Sequence, residues 1–226
     1  MKYKAIIFDM DGTIVDSDHI WDTVTRELIL SKVADAQEHH LEEIQNKVKG
    51  LALHASCHVI KEYFDLEHEL AHLIAEKKQR ALLKYQEQIH FIEGFLDFLV
   101  KVQATELKIG IATNADDHTL EASIKKLKLD EIFGEHIYNI THVNNKHKPA
   151  PDLYLHAAGK LGIDPKDCIA IEDSHHGIRA AVDAGMFCIG INTSKNREHL
   201  KESHLIIEHY DEICLKTLLY NKPDKK

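Results

Sequence analysis

Short apolar runs rich in β-branched residues recur along the chain and are typical of buried strands. The first covers residues 4–8 and ends at a cluster of Asp and Gly. Apolar positions three and four residues apart lie between several of these runs and predict helices. Because strands and helices alternate, the pattern predicts an α/β fold with a mostly parallel sheet and helices on both faces. The later predicted strands cover residues 107–112, 136–140, 168–171, 187–191 and 204–207.

Residues 18–89 differ from this pattern, since they contain few β-branched runs and almost no Gly or Pro. Apolar residues there repeat at helical spacing, in one stripe that begins at Ile20 and in another that begins at Leu66. The sequence therefore predicts an all-helical insertion after the first strand. The predicted parts are a discontinuous core of residues 1–15 and 90–226, a helical cap of residues 16–89, and a frayed tail at 221–226.

The composition narrows the classes of function. The 226 residues include 28 Lys or Arg and 37 Asp or Glu, which gives a formal net charge of −9. This negative charge argues against a protein that binds nucleic acid through phosphate contacts. No run approaches the roughly 18 apolar residues of a membrane span, so we expect no membrane association. The four cysteines are widely spaced, and we expect reduced thiols in a cytoplasmic protein that is a monomer or a weak homodimer.

The most specific motif for a chemical function is Asp9-Met10-Asp11-Gly12-Thr13, at the end of the first predicted strand. Open parallel sheets bind ligands at this end of their strands. Two carboxylates two residues apart converge on one site only if the chain turns, and Gly12 allows such a turn. A divalent cation would relieve their repulsion, and oxygen ligands suit Mg²⁺. The alternative for this motif alone is a pair of turn or capping residues.

Further polar groups follow later predicted strands. Glu172 and Asp173 are a second acidic pair, and acids at the ends of two strands of one sheet can share a crevice. Thr113 and Asn114 offer a hydroxyl, an amide and backbone N–H groups that suit phosphate oxygens. Lys148 adds a compact positive charge. Each residue alone is more often a helix cap or a solvated side chain, so the prediction rests on their combination and order.

In this order the motifs resemble those of the haloacid dehalogenase-like hydrolases. The resemblance is to the phosphatase and β-phosphoglucomutase-like branch, which has a helical cap after the first strand, and it covers nearly the whole chain. It implies a Rossmann-like core, Mg²⁺ as the cofactor and a small phosphorylated metabolite as the substrate. The motifs that carry it are Asp9-x-Asp11-Gly12-Thr13, Thr113-Asn114, Lys148-Pro149-Ala150-Pro151-Asp152, and Glu172-Asp173-Ser174 with Gly177, Ala180, Ala181, Gly185 and Met186.

The resemblance also implies a role for each matching residue. Asp9 would be the nucleophile of an Mg²⁺-dependent phosphatase that forms an aspartyl phosphate. Asp11 would be the general acid/base, and its presence argues against carbon–halogen cleavage, because the dehalogenase members lack this second acid. The implied phosphate-binding residues are Thr113, Asn114 and Lys148. The implied metal ligands are Asp9, Asp11 through its backbone carbonyl, Asp173 and Glu172.

Several histidines and one serine are candidate substrate contacts. His175 and His176 follow the second acidic pair, and we predict that they sit on a loop at the metal end of the sheet. The alternative for both is a position in solvent where a helix begins. Ser17, His19 and His54 are candidate contacts from the helical domain.

Two alternative functions use the same scaffold. A β-phosphoglucomutase-type phosphomutase would form the same aspartyl phosphate and return the group to a sugar hydroxyl. In that subgroup a basic residue is expected shortly after the glycine that corresponds to Gly50, whereas this chain has no Lys or Arg between Gly50 and Lys61. A non-catalytic binding protein is the other alternative, and the full set of acids argues against it.

A third alternative comes from His68-Glu69-Leu70-Ala71-His72, which matches the H-E-x-x-H helix of zinc proteases. On a helix the two histidines would lie together, opposite Leu70, on a solvated face. No third ligand is evident, and the acidic motif is far less expected by chance from this composition. The same spacing recurs at positions 54 and 58 and has the same interpretation.

Overall fold

The computed structural model describes residues 2–48, 51 and 53–220, with the side chain of Asp18 excepted. The chain divides into two compact units, one formed by Met1–Asp16 and His90–Lys226 and the other by Ser17–Ile89. Gly50, on which the argument against a phosphomutase depends, and the predicted frayed tail at 221–226 lie outside the described residues.

The first unit is built on a six-stranded parallel sheet, which confirms the predicted α/β fold. Each of the six strands expected from the apolar runs is present, with bounds that shift by at most one residue. The strands in chain order are β1 (Ala5–Phe8), β2 (Val15–Asp16), β3 (His90–Phe91), β4 (Lys108–Thr113), β5 (Ile137–Asn139), β6 (Cys168–Glu172), β7 (Phe187–Ile191) and β8 (Leu205–Ile207). The order across the sheet is β5-β4-β1-β6-β7-β8.

The register of the sheet brings the carboxyl ends of its central strands to one edge. Phe8 of β1 is level with Ile111 of β4 and with Ile171 of β6. All four residues of β1 are buried, as expected for a strand covered on both faces. The residues that follow β1, β4 and β6 therefore emerge side by side.

The helices pack on the sheet in the first unit and on one another in the second. They are α1 (Asp18–Lys32), α2 (Glu38–Val48), α3 (Leu53–Tyr63), α4 (Leu70–Gln88), α5 (Phe95–Gln103), α6 (Asp117–Leu127), α7 (Leu129–Phe133), α8 (Asp152–Leu161), α9 (His175–Asp183) and α10 (Leu215–Tyr220). In the described part of the chain, no helix combines the length and the apolar character that crossing a bilayer requires. The four cysteines are free thiols, as expected.

A two-stranded antiparallel ribbon stands at the point where the chain leaves and re-enters the first unit. Val15 pairs with Phe91, and Asp16 pairs with His90. The sequence did not predict β2 and β3, because strands of two residues are too short to show any hydrophobic period.

Helices α1–α4 form the second unit around their own apolar cluster, which includes Leu28, Leu41, Ile60 and Leu73. The prediction of a helix through His68 is wrong, because α4 begins at Leu70. The cause is local.

The side chain of Lys61 donates from Nζ to the carbonyls of Leu66 and His68, and so holds this segment outside the helix. His68 therefore lies before α4 and His72 lies in its first turn. Neither belongs to a group of metal-ligating side chains among the described residues. The zinc-protease helix is thus absent from the described structure.

A lysine interrupts the buried stripe of α4. The stripe consists of Leu73, Lys77, Ala81 and Tyr85, at helical spacing of four residues. Lys77 is only 3% exposed, and its Nζ donates to the hydroxyl of Ser56 in α3. Burial lowers the pKa of Lys77 to about 8. The folded state therefore disfavours the charged form of this side chain.

Replacing Lys77 by Met is expected to stabilise the protein at neutral pH by up to about 3 kcal/mol, because the buried charge is removed. In the wild type the unfolded chain binds the Lys77 proton more tightly than the folded chain. The free energy of unfolding should therefore rise between pH 8 and the ordinary lysine pKa, and this rise should disappear in Lys77→Met. Urea unfolding across this pH range measures both effects. A variant less stable than wild type at pH 7 would contradict the expectation.

Candidate active site

The acidic motif after β1 makes a tight turn against Asp173. Gly12 has φ +78°, in the left-handed region that favours glycine, and a Cβ at this position would overlap the Asp173 carboxylate. Thr13 donates from Oγ1 to Asp173 Oδ1 at 3.4 Å. The turn therefore packs the first acidic motif directly on the second one.

Three carboxylates meet at this edge of the sheet. Asp9, Glu172 and Asp173 each place a carboxylate oxygen within 4.8 Å of the others. Asp9 is 7% exposed and Glu172 is fully buried. Burial and the negative charge of Glu172 raise the pKa of Asp9 to about 7, although the positive charge of Lys148 acts in the opposite direction. The cluster of buried acids therefore needs positive charge to stay ionised.

Lys148 supplies part of that charge. Its Nζ lies 2.5 Å from Asp9 Oδ1 and 2.6 Å from Glu172 Oε1, and its side chain is 3% exposed. Burial acts to lower the pKa of Lys148, but the charges of Asp9 and Glu172 outweigh it and raise that pKa above its ordinary value. The ammonium group is therefore charged at neutral pH and bridges two buried carboxylates.

Asn114 fixes the segment that carries Lys148. Its Oδ1 accepts a hydrogen bond from the backbone N–H of Lys148 at 3.0 Å. Thr113 is buried at the end of β4, where its Oγ1 accepts from the N–H of Ala115 at 3.0 Å. Because β4 is level with β1, both residues leave the sheet at the edge where Asp9 lies.

Glu172 is enclosed by residues that were not among the predicted site residues. Tyr154 donates from its hydroxyl to Glu172 Oε1 at 2.8 Å, and Ser174 donates from Oγ to Oε2 at 3.1 Å. A Cβ at Gly177 would overlap the Glu172 carboxylate. The chain offers no period or motif that marks Tyr154 as a site residue, whereas Gly177 stood in the family motif.

His175 and His176 do not lie on a loop as predicted but at the start of a helix, and their contact with a substrate stays a prediction. Both are exposed in the first turn of α9. Ser174 is the N-cap of this helix, and its side chain accepts from the N–H of Gly177 at 3.1 Å, so the helix begins directly after it.

The three candidate contacts from the helical unit lie on two helices. Ser17 is buried at the N-cap position of α1, but its side chain makes no capping hydrogen bond. His19 is partly buried in α1, and His54 is exposed in α3. Their contact with a substrate stays a prediction.

A family model described as haloacid dehalogenase-like hydrolase matches residues 6–191. The chain is 28% identical over 195 residues to the 6-phosphogluconate phosphatase of Escherichia coli, with 82% of this chain and 80% of that protein covered. It is 26% identical over 227 residues to the β-phosphoglucomutase of Bacillus subtilis, with 95% and 93% covered. A haloacid dehalogenase family hydrolase from Deinococcus radiodurans, solved with bound phosphate and sodium, superposes with a TM-score of 0.77 at 25% identity, and 96% and 95% of the two chains are covered.

Proposed function

The chain belongs to the haloacid dehalogenase-like hydrolase family, and on that premise we propose that it is an Mg²⁺-dependent phosphatase of a small phosphorylated metabolite. The observation that carries the proposal is the buried ion pair between Asp9 and Lys148, with Nζ and Oδ1 2.5 Å apart, beside two further acids. It joins a nucleophile, a fixed positive charge and a set of hard oxygen donors at one edge of the sheet.

Asp9 is the proposed nucleophile. Its backbone N–H donates to the carbonyl of Ile171 at 3.0 Å, so the residue is held to the neighbouring strand β6. A carboxylate oxygen of Asp9 attacks phosphorus, and the bond from phosphorus to the alcohol oxygen breaks. Asp11 gives a proton to the departing alcohol and later takes one from the water that hydrolyses the aspartyl phosphate.

The acid cluster fits a small divalent cation. Its carboxylate oxygens lie close together and are hard donors of the kind that Mg²⁺ prefers. Asp9, Asp173 and the Asp11 carbonyl are the proposed ligands, with Glu172 as a further acidic contributor. A bound Mg²⁺ supplies charge that offsets the phosphoryl oxygens.

Lys148 and Glu172 act as a pair in this proposal. Lys148 binds the phosphoryl group and stabilises its developing negative charge. Glu172 holds the ammonium group in place, because its Oε1 lies 2.6 Å from Nζ and also accepts from Tyr154. Thr113 and Asn114 complete the phosphate-binding edge, with Asn114 acting in part through the backbone of Lys148.

The substrate is proposed to be a phosphate ester of a small metabolite. Similar proteins carry names such as 6-phosphogluconate phosphatase, fructose-1-phosphate phosphatase and pseudouridine-5'-phosphatase. A sugar phosphomutase is the second candidate, because the similarity to a β-phosphoglucomutase covers 95% of the chain. A cytoplasmic location and a monomer or weak homodimer stay predictions.

A panel of phosphate esters tests the proposal. With Mg²⁺ present, at least one small ester should release inorganic phosphate, and EDTA should reduce this turnover by ~100-fold or more because the cation offsets charge in the transition state. Added Mg²⁺ should restore it. Phosphate release is measured directly.

Two controls separate the alternatives. Conversion of a sugar 1-phosphate into its 6-phosphate, in the presence of a bisphosphate, would favour the phosphomutase. Peptide cleavage restored by Zn²⁺ would contradict a phosphatase, as would the absence of turnover for every ester on the panel.

A further inference from the structure

The turn after Asp9 leaves two carbonyl groups to be satisfied from outside. The N–H groups of Thr13, Ile14 and Val15 all donate to the carbonyl of Met10, at 2.9 to 3.3 Å. These three hydrogen bonds hold the turn together through the carbonyl of Met10. Within the described part of the chain, the carbonyls of Gly12 and Thr13 obtain their side-chain donors from distant segments.

Thr193 is the first of these donors. It lies just after β7 and is partly buried, and its Oγ1 donates to the carbonyl of Gly12 at 2.6 Å. The two residues are 181 positions apart in the chain. A single hydroxyl thus ties the segment after β7 to the acidic motif.

Tyr210 is the second donor. The residue is 1% exposed, and its ring packs on Phe95 and Phe98 of α5 with centroid distances of 5.6 and 5.2 Å. Its hydroxyl donates to the carbonyl of Thr13 at 3.0 Å. Because the ring is held by aromatic neighbours, the hydroxyl has little freedom to follow a displaced turn.

Buried polar atoms lie on both sides of Thr193. Asn192 Oδ1 and Ser194 Oγ, on either side of Thr193, are buried side-chain atoms that find no hydrogen-bond partner among the described residues. Such atoms are uncommon in folded proteins and often accompany a functional constraint. The hydrogen bond from Thr193 to the Gly12 carbonyl is the contact that joins this segment to the acidic turn.

We propose that Thr193 and Tyr210 are positioning residues of the phosphatase, which act through the Gly12 and Thr13 carbonyls to hold the acidic turn in its reactive geometry. The inference rests on the proposed function, since it assigns the turn to catalysis. A displacement of the turn would also affect the second acidic motif, because Thr13 donates to Asp173 and Gly12 packs directly on the Asp173 carboxylate. Loss of either hydroxyl should therefore shift Asp11 and Asp173 relative to Asp9.

The matched pair Thr193→Val and Thr193→Ser tests the first hydroxyl. Valine keeps the shape of the side chain but cannot donate, whereas serine retains the donor. Thr193→Val should lower kcat by ~10- to 100-fold with KM changed by less than about threefold, because displaced catalytic groups affect the chemical step more than binding. Thr193→Ser should stay within about threefold of wild type.

Tyr210→Phe tests the second hydroxyl, with Tyr138→Phe as its control. Tyr138 is also buried, and its hydroxyl bonds to His136, away from the acidic turn. Tyr210→Phe should lower kcat by ~10-fold or more, while Tyr138→Phe should leave kcat unchanged. Thermal unfolding of all four variants separates loss of folded protein from loss of activity.

Mg²⁺ affinity, measured by calorimetry on the metal-free protein, is the readout that a merely structural role would not change. Removing a residue that orients a metal ligand typically lowers the metal affinity or the activity by 10- to 100-fold. We expect Thr193→Val and Tyr210→Phe to bind Mg²⁺ ~10-fold more weakly than Thr193→Ser. Wild-type kcat and Mg²⁺ affinity in both hydroxyl-deleted variants would overturn the inference. If wild type hydrolyses no ester, the proposed function fails and the Mg²⁺ affinities alone decide the inference.

Discussion

Replacing Asp9 by Asn is expected to reduce phosphate-ester turnover by at least ~10⁴-fold, because the amide cannot form the aspartyl phosphate. The substitution should not unfold the protein. Burial and Glu172 already raise the pKa of Asp9 to about 7, so the folded state disfavours its charge. A neutral amide of the same shape also leaves the ion pair between Lys148 and Glu172, at 2.6 Å, in place.

The measurement compares wild type, Asp9→Asn and Asp183→Asn with the best ester of the panel. Asp183 is an exposed residue of α9 that pairs with Arg179, so its variant controls for the loss of one carboxylate. Rapid quenching with a phosphorus-labelled ester should label wild type and Asp183→Asn but not Asp9→Asn. Labelling of Asp9→Asn, or turnover within tenfold of wild type, would show that another group is the nucleophile.

The second large effect is expected at Lys148. Its replacement by Met leaves Asp9 and Glu172 buried without the ammonium group that now lies between them. Breaking a buried ion pair in this way typically costs 3–5 kcal/mol, so we expect the free energy of unfolding to fall by about 4 kcal/mol. Turnover should disappear as well, because Asp9 would hold its proton more tightly and the phosphoryl group would lose a cation.

The double variant Lys148→Met with Glu172→Gln distinguishes stability from catalysis. Removing the second carboxylate should recover much of the lost stability, since one buried charge is no longer left unpaired. It should recover no activity. Lys160→Met, at an exposed position of α8, is the matched control and should change stability by less than about 0.5 kcal/mol. Urea unfolding without Mg²⁺ measures these differences, and a Lys148→Met variant as stable as wild type would contradict the expected role of the ion pair.

The central strands of the sheet could be predicted because they are buried on both faces. A central parallel strand such as β1 must be apolar at every position, and Ala5–Phe8 shows this as a continuous run. The same reasoning fails for β2 and β3, which have two residues each. It also fails for the start of α4, where a lysine side chain competes for the carbonyls at Leu66 and His68.

Local residue order could predict the main acids and the lysine of the candidate site. Asp9 and Asp173 each lie in a short motif at a strand end, and a parallel sheet brings such motifs to one edge whatever the exact register. Lys148 lies well beyond the end of β5, and its own motif, in the order of the family's motifs, predicted its place in the site. The sequence left both a loop and a helix start open for His175 and His176, and the hydrogen bond from the Gly177 N–H to Ser174 shows that α9 begins there.

The strands, the helical insertion, and the acids and lysine of the candidate site could be predicted from the residue order, because burial and short motifs leave local patterns in it. The contacts that hold these groups could not be predicted in this way. Tyr154 on Glu172, Thr193 on Gly12 and Tyr210 on Thr13 are single hydroxyls without a repeating pattern. The last two reach across 181 and 197 positions of the chain. Such contacts depend on how strands and helices pack, and a hydrogen bond requires placement to within a few tenths of an ångström.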